Sequence, residues 1–271
     1  MFPLFYHQLA GVSAFEVLCH RIVWSALLCM ILLAARGKLG ELKAAVADRR
    51  TLLRLTISGV CISANWGGYI WAITQGRALD ASMAYYVLPL VMLALGVVLL
   101  GEKIGLRQAV AIAVMVAGVA LLAIDRGEVP WVVVILPISF GLYALVRKLV
   151  VVDAMVGVTV ETLFLAPFAI AYLMTRPDGG ALATGDWTIR SLLILCGPVT
   201  TVPLVLFSFG ARRLALGTIG LMQYVNPTLQ ALLAVALLQE ELSRLQTVTF
   251  ILIWLGLAIY SLPIRRAVRA G

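Results

Sequence analysis

The stretch ASMAYYVLPLVMLALGVVLL, residues 81–100, runs for twenty positions without a charged side chain. About 20 apolar residues in helical form cross the ~30 Å hydrocarbon core of a bilayer. No water is present there to satisfy peptide groups, so a crossing segment is a helix or part of a closed barrel. A barrel strand alternates polar and apolar residues, and this run does not. It reads as a transmembrane helix, and residues 109–124 repeat the pattern.

The rest of the chain agrees. Of 271 residues, 62% are hydrophobic and 13% charged, against roughly 25% charged in soluble domains. Mean hydropathy is +1.04. The net charge of +8 would suggest nucleic acid in a soluble protein. Here the basic residues fall in short loops between apolar runs, so no nucleic-acid partner is expected. Cys19, Cys29, Cys61 and Cys196 lie inside the runs without metal-ligand spacing and read as small apolar fillers. His7 and His20 have no further ligands clustered with them. Neither a metal nor a cofactor is expected.

Spans are predicted at 1–10, 13–35, 52–74, 81–100, 106–124, 130–148, 155–174, 189–210, 216–238 and 246–264. Residues 1–9 are too short to cross and read as the second half of a truncated first span. Ser13 is a natural N-cap for the second. One set of loops holds fifteen basic residues: Arg36, Lys38, Lys43, Arg49, Arg50, Arg54, Lys103, Arg107, Arg147, Lys148, Arg212, Arg213, Arg265, Arg266 and Arg269. The alternate loops hold five: Arg77, Arg126, Arg176, Arg190 and Arg244. The positive-inside rule makes the richer side cytoplasmic, and ten spans then put both termini there.

The chain also repeats itself. At an offset of 138, Tyr86, Val87 and Pro89 match Tyr224, Val225 and Pro227. Glu102, Gln108, Gly118 and Ala120 match Glu240, Gln246, Gly256 and Ala258. Leu or Ala matches would mean little between two apolar segments, but Tyr, Pro, Glu, Gln and Gly matches carry weight. The expected fold is all-α: a polytopic bundle of two five-helix repeats, 1–127 and 128–271. Five spans is an odd number, so the second repeat enters the membrane inverted, as in many transporters.

Ionisable groups within spans are costly, about 2.5–3.5 kcal/mol at the bilayer centre on insertion scales, and so are the first functional candidates. Glu16, His20 and Arg21 lie in the second span, with Arg21 about 12 Å below its outer end at ~1.5 Å per residue. Glu16 and His20 share a face and are placed to hydrogen-bond. Arg21 points elsewhere, toward another helix or an anionic solute, and Glu161 in the seventh span is its candidate partner. Two readings stand: a structural interhelical network, or proton coupling and solute contact centred on Glu16 with His20, since histidine titrates near neutrality. Pro89 and Pro227 are expected to kink their helices. Tyr86, Gln223, Tyr224 and Asn226 sit beside these kinks, either lining a cavity or packed between helices. Asn65 and Trp66 either join helices or face a pore. Glu102 and Glu240 are expected at the N-termini of the helices that follow them.

Several of these segments carry a family pattern: EVLCHRIVWS at 16–25, Asn65-Trp66 with Ile70-Trp71-Ala72, Tyr86 to Pro89, Gly101-Glu102-Lys103, Tyr143 to Lys148, Val160-Glu161-Thr162, and Gln223 to Thr228. Together they resemble the RarD proteins of the EamA group of drug/metabolite transporters, over essentially the whole chain. The resemblance implies ten helices in two inverted EamA repeats, with a full first helix where this chain has a short one. It implies a multi-pass permease of the bacterial plasma membrane, of a kind named for chloramphenicol sensitivity. It names no physiological solute, coupling ion or oligomeric state. The expected partners are a small-molecule solute, the lipid bilayer and protons as coupling ion. The spans hold no serine–histidine or paired-aspartate motif, so an enzyme is not expected. The alternative is a non-transporting scaffold or a channel-like protein.

Overall fold

Two aspartates mark where apolar helices begin. Asp153 accepts the Met155 N–H at 2.9 Å and Asp186 accepts the Ile189 N–H at 2.8 Å, each satisfying an amide that the first helical turn leaves unpartnered. Ser13 occupies the same position before the first long helix but makes no capping hydrogen bond. The computed structural model describes residues 5, 8–9, 11–74, 78–126, 131–226, 228–229 and 244–261.

Among these, every regular element is helical: α1 Ala14–Ala35, α2 Leu39–Ala47, α3 Arg49–Thr74, α4 Ala78–Leu100, α5 Leu106–Arg126, α6 Trp131–Leu149, α7 Ala154–Met174, α8 Gly180–Thr184, α9 Trp187–Ala211, α10 Leu216–Met222 and α11 Arg244–Ser261. A single 3-10 turn, Pro177–Gly179, precedes α8. Helices α1, α6, α7 and α9 are long and apolar enough to cross a membrane, and residues 84–100, 106–121 and 247–261 are apolar over shorter lengths. Most of the expected first span, and Pro227 and residues 230–238 of the ninth, lie outside the described residues, as does Glu240. Two connections read as loops contain helix: α2, with Leu42 and Ala45 buried, and the 3-10 turn with α8.

The helices pack through glycines. The most extensive interface among the described elements joins α5 and α11. There a side chain at Gly118 would press on Leu252, and one at Gly256 on Met115 and the Ala111 carbonyl. Thr249 Oγ1 donates to Gly118 O at 3.1 Å across the same seam. Helix α10 approaches α4 in the same way: a Cβ on Gly220 would stand 2.8 Å from Met92 Cβ and 2.9 Å from Pro89 O. Small residues let backbones approach closely where lipid supplies no hydrophobic drive. The outer faces are apolar and bare: Phe168 is 67% exposed and Leu206 65%. The inside holds polar groups instead, including Glu16, His20, Arg147, Glu161, Thr200 and Ser208.

Arg147 corrects an expectation. It was expected among the loop charges of the arginine-rich side, yet in the last turn of α6 it is only 1% exposed.

On that side, Lys38 bridges to the α7 cap, with Nζ 3.1 Å from Asp153 Oδ2. Partial burial works against ionisation of Asp153, but hydrogen bonds from Lys38 and the Met155 and Val156 amides outweigh it and hold the carboxyl below its ordinary range. Stability from this cap is complete above about pH 4 and is lost as pH falls through the lower folded value. Asp153→Asn is expected to flatten the acid limb of the melting temperature measured in detergent. An unchanged acid limb would assign it to other carboxylates.

Candidate functional site

Arg21 on α1 meets side chains from two other helices. Its Nε donates to Thr200 Oγ1 on α9 at 3.0 Å, and its guanidinium carbon lies 4.7 Å from the centroid of the Trp66 ring on α3. Tyr69 and Tyr85 meet edge-to-face at 6.0 Å, and both phenols lie within electrostatic reach of Arg21. The approach of α1 to α9 depends on Gly197. A Cβ there would stand 2.8 Å from Trp24 Cβ and 2.9 Å from its carbonyl oxygen. Ser25 Oγ donates to the Gly197 carbonyl at 3.2 Å. A cation, a hydroxyl and an indole from three helices therefore converge, in the company of two phenols. Such a group can hold an anionic or planar aromatic solute. Thr200 was missed from sequence, although the Thr200-Thr201 pair after Pro198 was a polar break in an apolar run.

The pairing expected between Arg21 and Glu161 is not found. Glu161 takes a different cation: Arg147 Nη1 stands 3.5 Å from Glu161 Oε1, as an ion pair without hydrogen-bond geometry. The α6–α7 turn is short, so it delivers both residues to one place. Gly157 clears the way, because any side chain there would overlap the Arg147 guanidinium. Ser58 Oγ donates to Glu161 Oε1 at 2.6 Å. Arg147 Nε donates to Ser208 Oγ at 3.0 Å and Nη2 to Ala154 O at 3.0 Å. The buried Tyr143 hydroxyl is 3.3 Å from the same Ser208 Oγ. This network joins α3, α6, α7 and α9.

Glu16 and His20 are both buried, one turn apart on α1, but make no hydrogen bond to each other. The Glu16 carboxylate faces residues 176–181 instead. Asn65 Nδ2 donates to Leu136 O at 2.8 Å, with Ser139 Oγ at 3.4 Å, so it joins α3 to α6. Tyr224 is fully buried and donates to the Tyr86 carbonyl at 3.0 Å, a hydrogen bond between two positions equivalent at the 138 offset. Pro89 sits within α4. Helix α10 breaks at Gln223–Tyr224, where hydrogen bonds tighten to three-residue spacing before helix resumes at 225–226. Asn226 is exposed.

Glu102 does not cap the helix that follows it. Gly101, at φ +65°, turns the chain back, and the Glu102 N–H closes on Gly96 O at 3.0 Å. The carboxylate then caps α10, accepting Leu216 N–H at 2.6 Å and Gly217 N–H at 3.1 Å. Gln108 serves the start of α5, its Oε1 accepting Gly105 N–H at 2.7 Å.

Against this geometry, the model of the EamA-like transporter family matches residues 1–124 and 130–262. The chain belongs to the EamA-like transporter family. Within it, the chain groups with the RarD proteins. Protein RarD of Escherichia coli is 36% identical, over 95% of this chain and 88% of its own. A Pseudomonas aeruginosa protein named uncharacterized transporter PA0485 is 38% identical, over 99% of this chain and 91% of its own. Another from that organism, named chloramphenicol-sensitive protein RarD, is 30% identical over 95% and 87%. A solved crystal structure at 17% identity shares the fold, with a TM-score of 0.72 over 96% of this chain and 92% of that one. As an EamA protein with membrane-length apolar helices, the chain is a bacterial membrane transporter.

Proposed function

We propose that this EamA protein is a secondary transporter of small metabolites or drugs. It works by alternating access between two inverted halves, 1–127 and 128–271, in the plasma membrane, with both termini cytoplasmic. The observation that carries this reading is the contact of Arg21 on α1 with Thr200 on α9, a charged residue at membrane depth meeting the opposite half beside Trp66. Support for two related halves comes from the paired family matches, the Tyr224–Tyr86 hydrogen bond and the facing Gly118 and Gly256. Arg21 receives the acidic or electron-rich group of the solute. Glu16 with His20 carries the coupling proton.

Flux into proteoliposomes tests this, with a panel of carboxylate-bearing metabolites and chloramphenicol. Saturable, gradient-driven flux is expected for some member. Arg21→Gln is expected to lower it about 10- to 100-fold, the worth of one charge-assisted hydrogen bond, in protein recovered folded and monodisperse. Glu16→Gln is expected to abolish proton-driven uptake and leave exchange measurable. Flux that never saturates, or none at all in folded protein, would favour the channel-like or scaffold alternative.

A further inference from the structure

We propose that residues 176–181, which connect α7 to α9, are a gate on the arginine-poor face, held shut by the ionised carboxylate of Glu16. The proposal rests on the transporter reading above and adds a moving part to it.

Glu16 is 3% exposed, yet its carboxylate is gripped from outside its own helix. Oε1 accepts the Ala181 N–H at 2.5 Å, and Oε2 lies 3.4 Å from Arg176 Nε. Asp178, Gly179 and Gly180 have φ of +51°, +78° and +68°. Three successive residues in the left-handed region form a tight turn that L side chains resist, and Asp178 adopts it without the freedom of glycine. The turn presents the Ala181 amide to the Glu16 carboxylate. Gly180 is confined twice: by its φ, and because any Cβ there would overlap Glu16 Oε1. Two of these three residues are glycines, which take positive φ freely, so the turn is a short pliable segment tied to α1 by a single carboxylate.

Neighbouring contacts make the segment a cover. Arg176 stacks on Tyr172 at 5.7 Å, and Tyr172 meets Phe15 of α1 edge-on at 4.6 Å. Ala181 and Leu182 lie over Val17, Leu193 and the fully buried Cys196. Arg21 lies five residues further along α1, about 7.5 Å deeper at ~1.5 Å per residue. The segment therefore stands between Arg21 and the arginine-poor surface. Among the described residues, Cys19 and His20 on α1 lie within electrostatic reach of Glu16, Arg176 pairs with it, Asp178 stands in the same turn, and Tyr172 on α7 and Cys196 on α9 belong to the helices packed against it. When a proton adds to the Glu16 carboxylate, the pair with Arg176 loses its attraction. The neutral hydrogen bond to Ala181 and the apolar contacts of Ala181 and Leu182 then hold the segment without the ion pair.

The test is reaction of Cys196 with a membrane-impermeant methanethiosulfonate at constant pH. It uses full-length protein in vesicles that expose the arginine-poor face, with Cys19, Cys29 and Cys61 replaced by alanine. Glu16→Gln mimics the protonated state, and Arg176→Gln breaks the same pair while leaving α1 intact. Both are expected to label about ten-fold faster than the parent, the shift that loss of one partly buried ion pair gives to a two-state equilibrium. A matched set retaining only Cys29, buried toward the other face, is expected to stay protected. Unchanged Cys196 labelling in both variants overturns the gate. So does equal exposure of Cys29 and Cys196, which would make Glu16 a support of the whole fold. The readout needs no solute, so it fails separately from the flux assay.

Discussion

Arg147→Ala is expected to leave almost no folded protein in the membrane. Glu161, 2% exposed, would be left with only the Ser58 hydroxyl and no cation, so folding would have to bury an unpaired charge or take up a proton to neutralise it. Removing one partner of a buried pair costs about 3–5 kcal/mol, a large share of the 5–15 kcal/mol that separates folded from unfolded protein. Ser208 and the Ala154 carbonyl lose their donor as well. Glu161→Gln is expected to be milder, because an amide still accepts from Ser58, but it leaves the guanidinium buried without a counter-charge. The decisive comparison is Arg147→Met with Glu161→Leu. Replacing both charges with apolar side chains of similar volume removes the unpaired charge, so the double variant should outlast either single one. Monodisperse protein recovered in detergent, with its melting temperature, measures all three. Strictly additive losses would mean that the two residues stabilise the fold independently. Gly157→Val should reproduce the Arg147→Ala defect, since its side chain would claim the space of the guanidinium.

That pair also shows where sequence reading stops. Hydropathy fixes where a helix starts and ends to within a few residues, and the long helices here fall close to the spans expected of them. It says nothing of where a long side chain at a helix end goes. Arg147, by position, looks like a residue that snorkels to the surface. Its inward course is decided by the missing Cβ of Gly157 in the next helix, a contact with no local signal. Thr200 was hidden in the same way, because one hydroxyl in an apolar run matters only once α1 crosses it at Gly197. The α2 helix escaped because its residues are too polar on average to read as a span, although Leu42 and Ala45 are buried one helical turn apart. Of the candidate site, the costly groups Glu16, His20, Arg21 and Glu161 were legible as a set, since burial of charge is rare enough to stand out. Their pairing was not: Ala181 and Thr200 lie 165 and 179 residues from Glu16 and Arg21, and Glu161 meets Arg147 only because the α6–α7 turn folds one helix back on the other.

Glu102 carries the last of these lessons and the second large effect. A carboxylate just before a helix is ordinarily assigned to that helix. Here it bonds to two amides 114 and 115 residues away. It thereby ties the α4–α5 connection to the start of α10, the helix whose later turn breaks at Gln223–Tyr224. Gly96 has no Cβ, and one there would stand 2.5 Å from Glu102 Oε2. Lys148 Nζ, 4.0 Å from Oε1, adds charge on the open side. Glu102→Ala strips two amides of their acceptor, and hydrogen bonds to a charged group are worth about 1.5–3 kcal/mol each when buried. With Glu102 only partly buried and water able to replace part of this, a loss of about 2–3 kcal/mol is expected. Glu102→Asp is expected to lose nearly as much, because one methylene fewer withdraws the carboxylate from both amides. Glu102→Gln keeps one acceptor and should fall between. Hydrogen exchange followed by mass spectrometry locates the effect: the amides of 216–222 should exchange faster in Glu102→Ala, while those of α7 stay protected. If 216–222 exchanges at the parent rate, the carboxylate is not what holds α10 to α4, and the glycine contacts at 217 and 220 do that unaided.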